Sequence, residues 1–311
     1  MNKLLTIIIP VYGVEKYIQE FLDSLFPQIE ASIELIFVND GTQDQSIMIL
    51  NDSIDKHDIN CLILNQSNAG VSSARNNALR VCTGQFVTFL DPDDVVSPKY
   101  IEKILDIITN HNDISIIHYN AYMKKENNEI VDMCFVDETS THIINQEFKI
   151  KNFIKDKWQP WLRVFRKDLL KDFEFVEGYI FEDVLAFPFL YRDELKIYEL
   201  VDHLLIYRLN ESSLTAKKNQ LFFDSIYYAI SFYRLYRNIK CFECVYFKLI
   251  ECLYGVMLKK NFYHFLKFYN MFKEDIFYIK DHRCLNTFKL KFKYTSPLLF
   301  YMYKTKFFLK L

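Results

Sequence analysis

Apolar residues fall into two different rhythms along this chain. Over the first 125 residues, short, nearly continuous apolar runs rich in β-branched residues alternate with longer stretches whose apolar positions recur every three or four residues. The runs are Leu4 to Ile9, Ile33 to Val38, Asn60 to Leu64, Gln85 to Leu90 and Ile114 to Tyr119, and unbroken apolarity predicts strands covered on both faces. Between them the spacing predicts helices near 14–26, 43–56, 71–81 and 98–110, the last opened by Ser97 as N-cap and Pro98 in the first turn. Strands alternating with helices predict an α/β fold with a mostly parallel sheet and flanking helices. From about 126 to 210 the pattern loosens into short strands, loops and one helix beginning near Glu182. From 216 onward Tyr, Phe, Leu and Ile recur at helical spacing, and the polar stretch Asn210 to Gln220 sets a boundary between regions 1–215 and 216–311.

Composition sharpens the contrast between the two regions. Half of the 311 residues are hydrophobic and there are only 6 Gly and 7 Pro, which supplies a sizeable core and excludes low complexity. The net charge of -2 conceals 24 Lys/Arg against 35 Asp/Glu over 1–239, and 14 against 5 over 240–311. Lys289, Lys291, Lys293, Lys304, Lys306 and Lys310 follow Asn286 with no acidic residue, among Phe, Tyr, Leu and Met. Rings and lysines together suit the headgroup boundary, so 286–311 is expected to attach to an anionic membrane surface, the alternative being packing on the protein itself or on a second copy through the C-terminal helices. No apolar stretch of membrane-spanning length occurs and the run at Met1 to Tyr12 is short for a signal peptide, so the expected place is the cytoplasm, peripheral on the inner face of the membrane. The seven cysteines form no even framework and read as free thiols; Cys241 and Cys244 have zinc-like spacing without a second pair, which favours cysteines packed within apolar helices.

In an open α/β sheet, ligands lie beyond the carboxyl ends of the strands. Here those ends read Pro10-Val11-Tyr12, Asn39-Asp40-Gly41, Asn65-Gln66-Ser67-Asn68-Ala69-Gly70 and Asp91-Pro92-Asp93-Asp94. Three carboxylates in four residues repel one another unless a cation or solvent compensates, and Mn²⁺ or Mg²⁺ takes one or two carboxylates completed by substrate phosphates and water. The plainer alternative is an acidic turn favouring the next helix's positive end. No phosphate loop and no Gly-x-Gly-x-x-Gly follows the first strand, so a metal would replace the glycine cradle. Arg75, near the start of a helix at the same edge, adds a positive charge for phosphate or base; standing alone it would read as a solvated helix-face arginine. Trp158 and Trp161 offer flat faces for sugar stacking in an acceptor site, or simply pack in the core.

Taken together, Ile8-Ile9-Pro10-Val11-Tyr12, Val38-Asn39-Asp40-Gly41, Asn68 to Asn76 and Phe89 to Asp94 resemble the family 2 glycosyltransferases, over roughly residues 4 to 215. Tyr179-Ile180-Phe181-Glu182-Asp183 is similar to the family's Glu-Asp element, and Tyr207-Arg208 with Ser212-Ser213-Leu214-Thr215 to its last catalytic segment. The resemblance implies a GT-A fold, Rossmann-like and built for nucleotide-diphospho-sugars. Nucleotide-sugar binding would occupy 1–125 and the acceptor side 126–215. It implies that Pro10, Tyr12, Glu15, Asp40 and Arg75 shape the nucleotide pocket, with Asp40 accepting from the uracil edge. Asp93 would be the direct metal ligand, Asp91 would lie near the ribose or a metal-bound water, and Arg208 would face the diphosphate. Asp183 would be the catalytic base, with Glu182 beside it on the acceptor side; as residues alone, both acids read equally as the first turn of a helix.

The activity implied is inverting transfer of one sugar, a hexose or N-acetylhexosamine, from a UDP-sugar to a hydroxyl of a glycan or lipid-linked acceptor in surface polysaccharide or lipooligosaccharide synthesis. Asn39, Pro92 and Ala78 depart from the family's common Asp, Ser or Ala, and Gly. Two other readings compete: a nucleotidyltransferase of related fold, which would carry a Gly-rich loop after the first strand, and a non-catalytic module using the basic tail on a membrane or nucleic acid. The negative charge of 1–239 opposes nucleic acid as a partner.

Overall fold

The structure is a computed structural model and describes residues 3–209, 217–280, 301 and 304. The expectations for Ser212 to Thr215 and for the basic tail lie outside the described residues. The chain divides into two compact units, Met1–Ser225 and Ile226–Leu311.

In the first unit the strands are β1 (Leu5–Val11), β2 (Ile33–Asn39), β3 (Leu62–Asn65), β4 (Phe86–Phe89), β5 (Val95–Val96), β6 (Ile114–Lys124), β7 (Ile130–Met133), β8 (Ser140–Ile143), β9 (Arg163–Arg166) and β10 (Lys196–Arg208). They form one sheet in the order β3-β2-β1-β4-β9-β6-β10-β5, with β7 on β6 and β8 on β10. The pairs β3-β2, β2-β1, β1-β4 and β6-β10 are parallel, while β9 lies antiparallel between β4 and β6. This is the mixed, mostly parallel α/β sheet that the alternating pattern predicts. Every residue of β1 and β4 is buried, as continuous apolar runs require. The third run differs, because β3 is the sheet's edge and is only half covered.

Helices α1 (Ile18–Leu25), α2 (Ser46–His57), α3 (Val71–Val81) and α4 (Tyr100–Asn110) flank the sheet, and α5 (Gln146–Phe153) and α6 (Glu182–Ala186) follow. Three of these begin later than the periodicity predicts, and local hydrogen bonds give the reason. The Gly13 and Val14 amides are taken by Thr42 Oγ1 (2.9 Å) and Ser46 Oγ (3.1 Å), so the chain turns before α1 and α2 can start. Ser97 is not the N-cap of α4, which falls at Lys99: Ser97 Oγ accepts the Lys99 amide (3.4 Å) and its carbonyl the Tyr100 amide (3.0 Å), forming a turn ahead of the helix, while its own amide pairs with Leu204 O (2.9 Å). The loosely patterned region hides α5, capped by Asn145 accepting from the Phe148 amide (2.9 Å), and the thirteen-residue β10.

Two glycines are fixed by close approach. A Cβ on Gly84 would stand 2.6 Å from the Thr6 backbone nitrogen, and one on Gly41, whose φ is +69°, would stand 2.9 Å from that of Asn68. In the second unit, α8 (Lys240–Met257) and α9 (Phe262–Lys280) follow α7 (Gln220–Arg234), which straddles the division. Asp275 of α9 is buried there, paired with Arg234 through Nε (3.0 Å) and Nη2 (2.7 Å) and accepting from Tyr246. Cys241 and Cys244 are buried along α8, and no helix among the described residues is long and apolar enough to cross a membrane.

The Gly84 contact gives a direct test of the sheet's first strand. Gly84→Ala is expected to lower the unfolding free energy by about 2 kcal/mol, because backbone rather than a flexible side chain must move. A urea midpoint equal to the wild type's would contradict that placement.

Candidate active site

The carboxyl ends of β1, β2, β3 and β4 lie side by side, so the polar residues after each strand share one edge. Asp40, just past β2, is 3% exposed. Its Oδ1 accepts from Gln66 Nε2 (2.8 Å) and the Ala69 amide (2.8 Å), and its Oδ2 from the Gly70 amide (2.9 Å). The carboxylate therefore organises the loop that starts α3, and Gly70 precedes that helix with a φ of +90° that favours glycine. Asn39 ties the β2 and β3 ends through Asn65 (2.9 Å) and receives the Thr42 amide (3.1 Å). Pro10 is buried within β1, Tyr12 is 54% exposed at its end, and Glu15 accepts from the Gln45 amide (3.1 Å). Asp44, which the sequence reading passed over, closes this loop by accepting from the Glu15 amide (3.0 Å) and Thr42 Oγ1 (2.7 Å). Burial alone would raise its carboxyl, but hydrogen bonds from Ser46, Thr42 and the Glu15 amide hold it below the usual range.

Arg75 is the bridge between the two halves of the site. Its α3 position turns the guanidinium inward, 2% exposed, where Nη2 meets Asp91 (2.8 Å) and Nη1 meets Glu182 (2.7 Å). Phe175 lies under it at 5.4 Å. The expectation of a charge offered to phosphate or base is thereby modified, since both ends of the fork are already spent on carboxylates. Asn76, one residue on, exchanges hydrogen bonds with the Phe175 backbone (3.0 and 2.8 Å) and reaches Glu177 (3.1 Å), clamping the segment that leads into α6.

That segment delivers Glu182 and Asp183 from a tight turn. Phe181 has a φ of +72°, a costly conformation for a bulky residue, held by its ring against Phe222 and by the Ile180 amide donating to Ser225 Oγ (3.0 Å). Burial, and next the Glu182 charge, push the Asp183 carboxyl up to about 7, with Arg75 pulling the other way. A carboxylate poised near neutrality is the form a general base takes.

After β4 the three acids sit in different surroundings. Asp91 is paired with Arg75. Asp93 is lifted to about 6 by burial and then by the Asp91 charge, with Arg208 opposing. Asp94 is fully buried and raised well above the ordinary value by burial and by both neighbours, its Oδ1 accepting the Arg208 amide (2.8 Å) and its Oδ2 buried without a partner. Arg208, at the end of β10, donates Nε to the Asp93 carbonyl (2.9 Å) and Nη2 to Glu20 (2.7 Å) over the Tyr17 ring. Among the described residues no three metal-ligating side chains converge. The donor set fits a divalent cation completed by phosphate oxygens, because Asp91 and Asp93 are adjacent acids whose mutual repulsion a cation would relieve.

The two tryptophans do not offer the open faces that sugar stacking would need. Trp158 and Trp161 are 3% and 2% exposed; Trp161 stacks on Tyr207 at 5.0 Å, and Trp158 is edged by Phe153 at 4.9 Å and Tyr191 at 6.0 Å. Their faces are spent in the interior, the packing alternative for an apolar ring.

Known proteins carry the same pattern. The model of the glycosyl transferase family 2 matches residues 6–172, more than half of the chain, and the chain belongs to that family. It is 30% identical over 233 residues to the uncharacterized glycosyltransferase EpsJ of Bacillus subtilis, covering 69% of this chain and 64% of EpsJ. It is 29% identical over 234 residues to the minor teichoic acid biosynthesis protein GgaB of the same organism, covering 70% of this chain but 25% of GgaB. In fold it is similar to residues 1–349 of S. aureus TarS, crystallised with UDP-GlcNAc, with a TM-score of 0.70 at 19% identity over 99% of this chain and 92% of that one. The sheet and its flanking helices are thus those of a GT-A domain.

The raised Asp93 supplies a test by stability. A carboxyl whose folded value lies above its ordinary 3.8 costs the fold nothing below pH 4, and the full cost is present above about pH 6. In cation-free buffer Asp93→Asn is therefore expected to raise the thermal midpoint at pH 8 and leave it unchanged at pH 4. An equal or lower midpoint at pH 8 would contradict the electrostatic picture of this edge.

Proposed function

We propose that the chain is an inverting glycosyltransferase that moves one sugar from a UDP-sugar to a hydroxyl of a glycan or lipid-linked acceptor in cell-surface polysaccharide synthesis. The observation that carries this reading is the Arg75 bridge, which holds a donor-side acid and the Glu182-Asp183 turn together at one sheet edge. The match to GgaB supports the surface-glycan setting, and the UDP-GlcNAc in the TarS structure supports the donor class.

In this reading the loops organised by Asp40 and Asp44 form the floor on which the nucleotide lies, with Tyr12 exposed beside it. Asp40 Oδ2 accepts a single hydrogen bond within the protein and keeps a lone pair for the base edge. Asp93 and Asp91 would hold Mn²⁺ or Mg²⁺, which when bound stabilises negative charge on the departing diphosphate. Arg208 fixes the Asp93-Asp94 turn through both a backbone and a side-chain hydrogen bond. Asp183 takes the proton from the acceptor hydroxyl as its oxygen bonds to the anomeric carbon. The bond from that carbon to the diphosphate oxygen breaks on the opposite face, and the configuration inverts.

Asp183→Asn keeps the side chain's size and its acceptor for the Val184 amide but cannot take up a proton. Transfer is expected to fall on the order of 100-fold or more while UDP binding with Mn²⁺ persists. In the wild type the rate is expected to rise with pH through about 7, since the ionised form of Asp183 is the active one. Near wild-type transfer by the variant, or loss of its UDP binding, would remove Asp183 from this role.

A further inference from the structure

We propose that the recess walled by Lys155, Lys157, Trp158, Arg163 and Tyr191 is a subsite for a phosphate group. The argument begins with a buried charge that has no counter-charge. Arg163, on β9, is 4% exposed. Its Nε donates to Tyr191 Oη (2.7 Å), Nη1 to the Gln159 carbonyl (3.0 Å) and Nη2 to the Lys157 carbonyl, all of them neutral. The rings of Trp158, Phe187 and Tyr191 lie 5.6, 5.9 and 6.0 Å from its Cζ. No carboxylate among the described residues forms an ion pair with it. A cation buried in that way is expensive unless an anion completes it.

The nearest acid along the hydrogen bonds is two neutral side chains away. Tyr191 Oη also bonds His118 Nε2, and His118 Nδ1 lies 3.8 Å from Glu199, which already faces His142 at 3.1 Å. Burial first, with Arg163 and Lys155 contributing, brings His118 down to about 4 against the pull of Glu199. His118 is thus held neutral mainly by its burial and adds no charge of its own to the recess.

Its other walls add cations and a donor. Lys155 contacts the Phe135 carbonyl (2.5 Å) and the exposed Asp137 (3.5 Å), and Lys157 Nζ stands 5.0 Å from the Phe135 ring. The indole Nε1 of Trp158, itself 3% exposed, is buried without an acceptor. Lys155 is thus only loosely paired, at the surface, while Arg163, Lys157 and the Trp158 N–H have no carboxylate partner among the described residues, a set of donors that an oxyanion would complete. The enclosed part has room for only about one or two water molecules, which suits the end of a phosphate group entering from the mouth and excludes a sugar ring. A phosphate carried by the acceptor and free inorganic phosphate share this chemistry. The first source rests on the function proposed above; the binding itself does not.

The test is calorimetric titration of the full chain with inorganic phosphate in EDTA, against sodium chloride at matched ionic strength. Wild type is expected to bind saturably. Lys155→Gln/Lys157→Gln is expected to bind at least about tenfold more weakly, and Trp158→Phe, which loses one N–H donor, about three- to tenfold more weakly. Glycerol 3-phosphate binding tighter than inorganic phosphate assigns the site to a phosphate ester of the acceptor, and equal or weaker binding assigns it to free phosphate. No saturable binding by the wild type, or unchanged binding in both variants, overturns the proposal. UDP binding with Mn²⁺, measured in parallel on Lys155→Gln/Lys157→Gln, is expected to stay at the wild-type level. Its persistence separates failure of this subsite from failure of the donor site.

Discussion

Everything at the candidate site depends on one buried guanidinium. Arg75 reaches from α3 to Asp91 after β4 and to Glu182 at the start of α6, joining segments 107 residues apart in the chain. Asp91 and Glu182 are only partly buried, at 29% and 12% exposed, whereas Arg75 would be an uncompensated buried charge without them. The packing of α3 makes the reach feasible. Ala74 and Ala78 are fully buried, so the helix sits close to the sheet, and Asn76 clamps the incoming Phe175 backbone from the same helix. One helix therefore sets where the acids after β4 and the candidate base stand relative to each other.

The acidic edge is the counterpart of that bridge. Among the described residues only one of the three acids after β4 has a cationic side chain paired to it; the other two are raised by burial and then by neighbouring acids, Asp93 by Asp91 and Asp94 by both. The fold tolerates this because the Arg208 amide and guanidinium hold the turn from β10. Strain and unpaired charge gathered at one sheet edge, including the left-handed Phe181, are what a site built for a cation and a diphosphate would retain.

Much of the frame was legible along the chain. The runs Leu4 to Ile9, Ile33 to Val38 and Gln85 to Leu90 are continuous enough to announce buried parallel strands, and the polar residues that follow them do share an edge. What stayed hidden depends on partners distant in sequence. Nothing local says that β9 slips antiparallel between β4 and β6, or that β10 runs thirteen residues beside β6. Arg75 reads as a charge offered to phosphate or base until Asp91 and Glu182 are brought to it, and Ser97 reads as the cap of a helix that starts one turn later, after Lys99. Trp158 and Trp161 carry no signal that separates an open face from a packed one; only the Tyr191 and Tyr207 rings decide it. Asp44 was recoverable from the spacing Thr42, Asp44, Ser46, a pattern in which side chains bond nearby amides.

The central claim is that Arg75 and Glu182 form a coupled pair holding the two halves of the site together. A double-mutant cycle on unfolding free energy, using Arg75→Met, Glu182→Gln and the double variant, measures that coupling directly. The account predicts that the double variant is less destabilised than the two single changes added together, by about 2 kcal/mol, because each single change leaves a charge stranded that the other removes. Additivity within about 0.5 kcal/mol would contradict it.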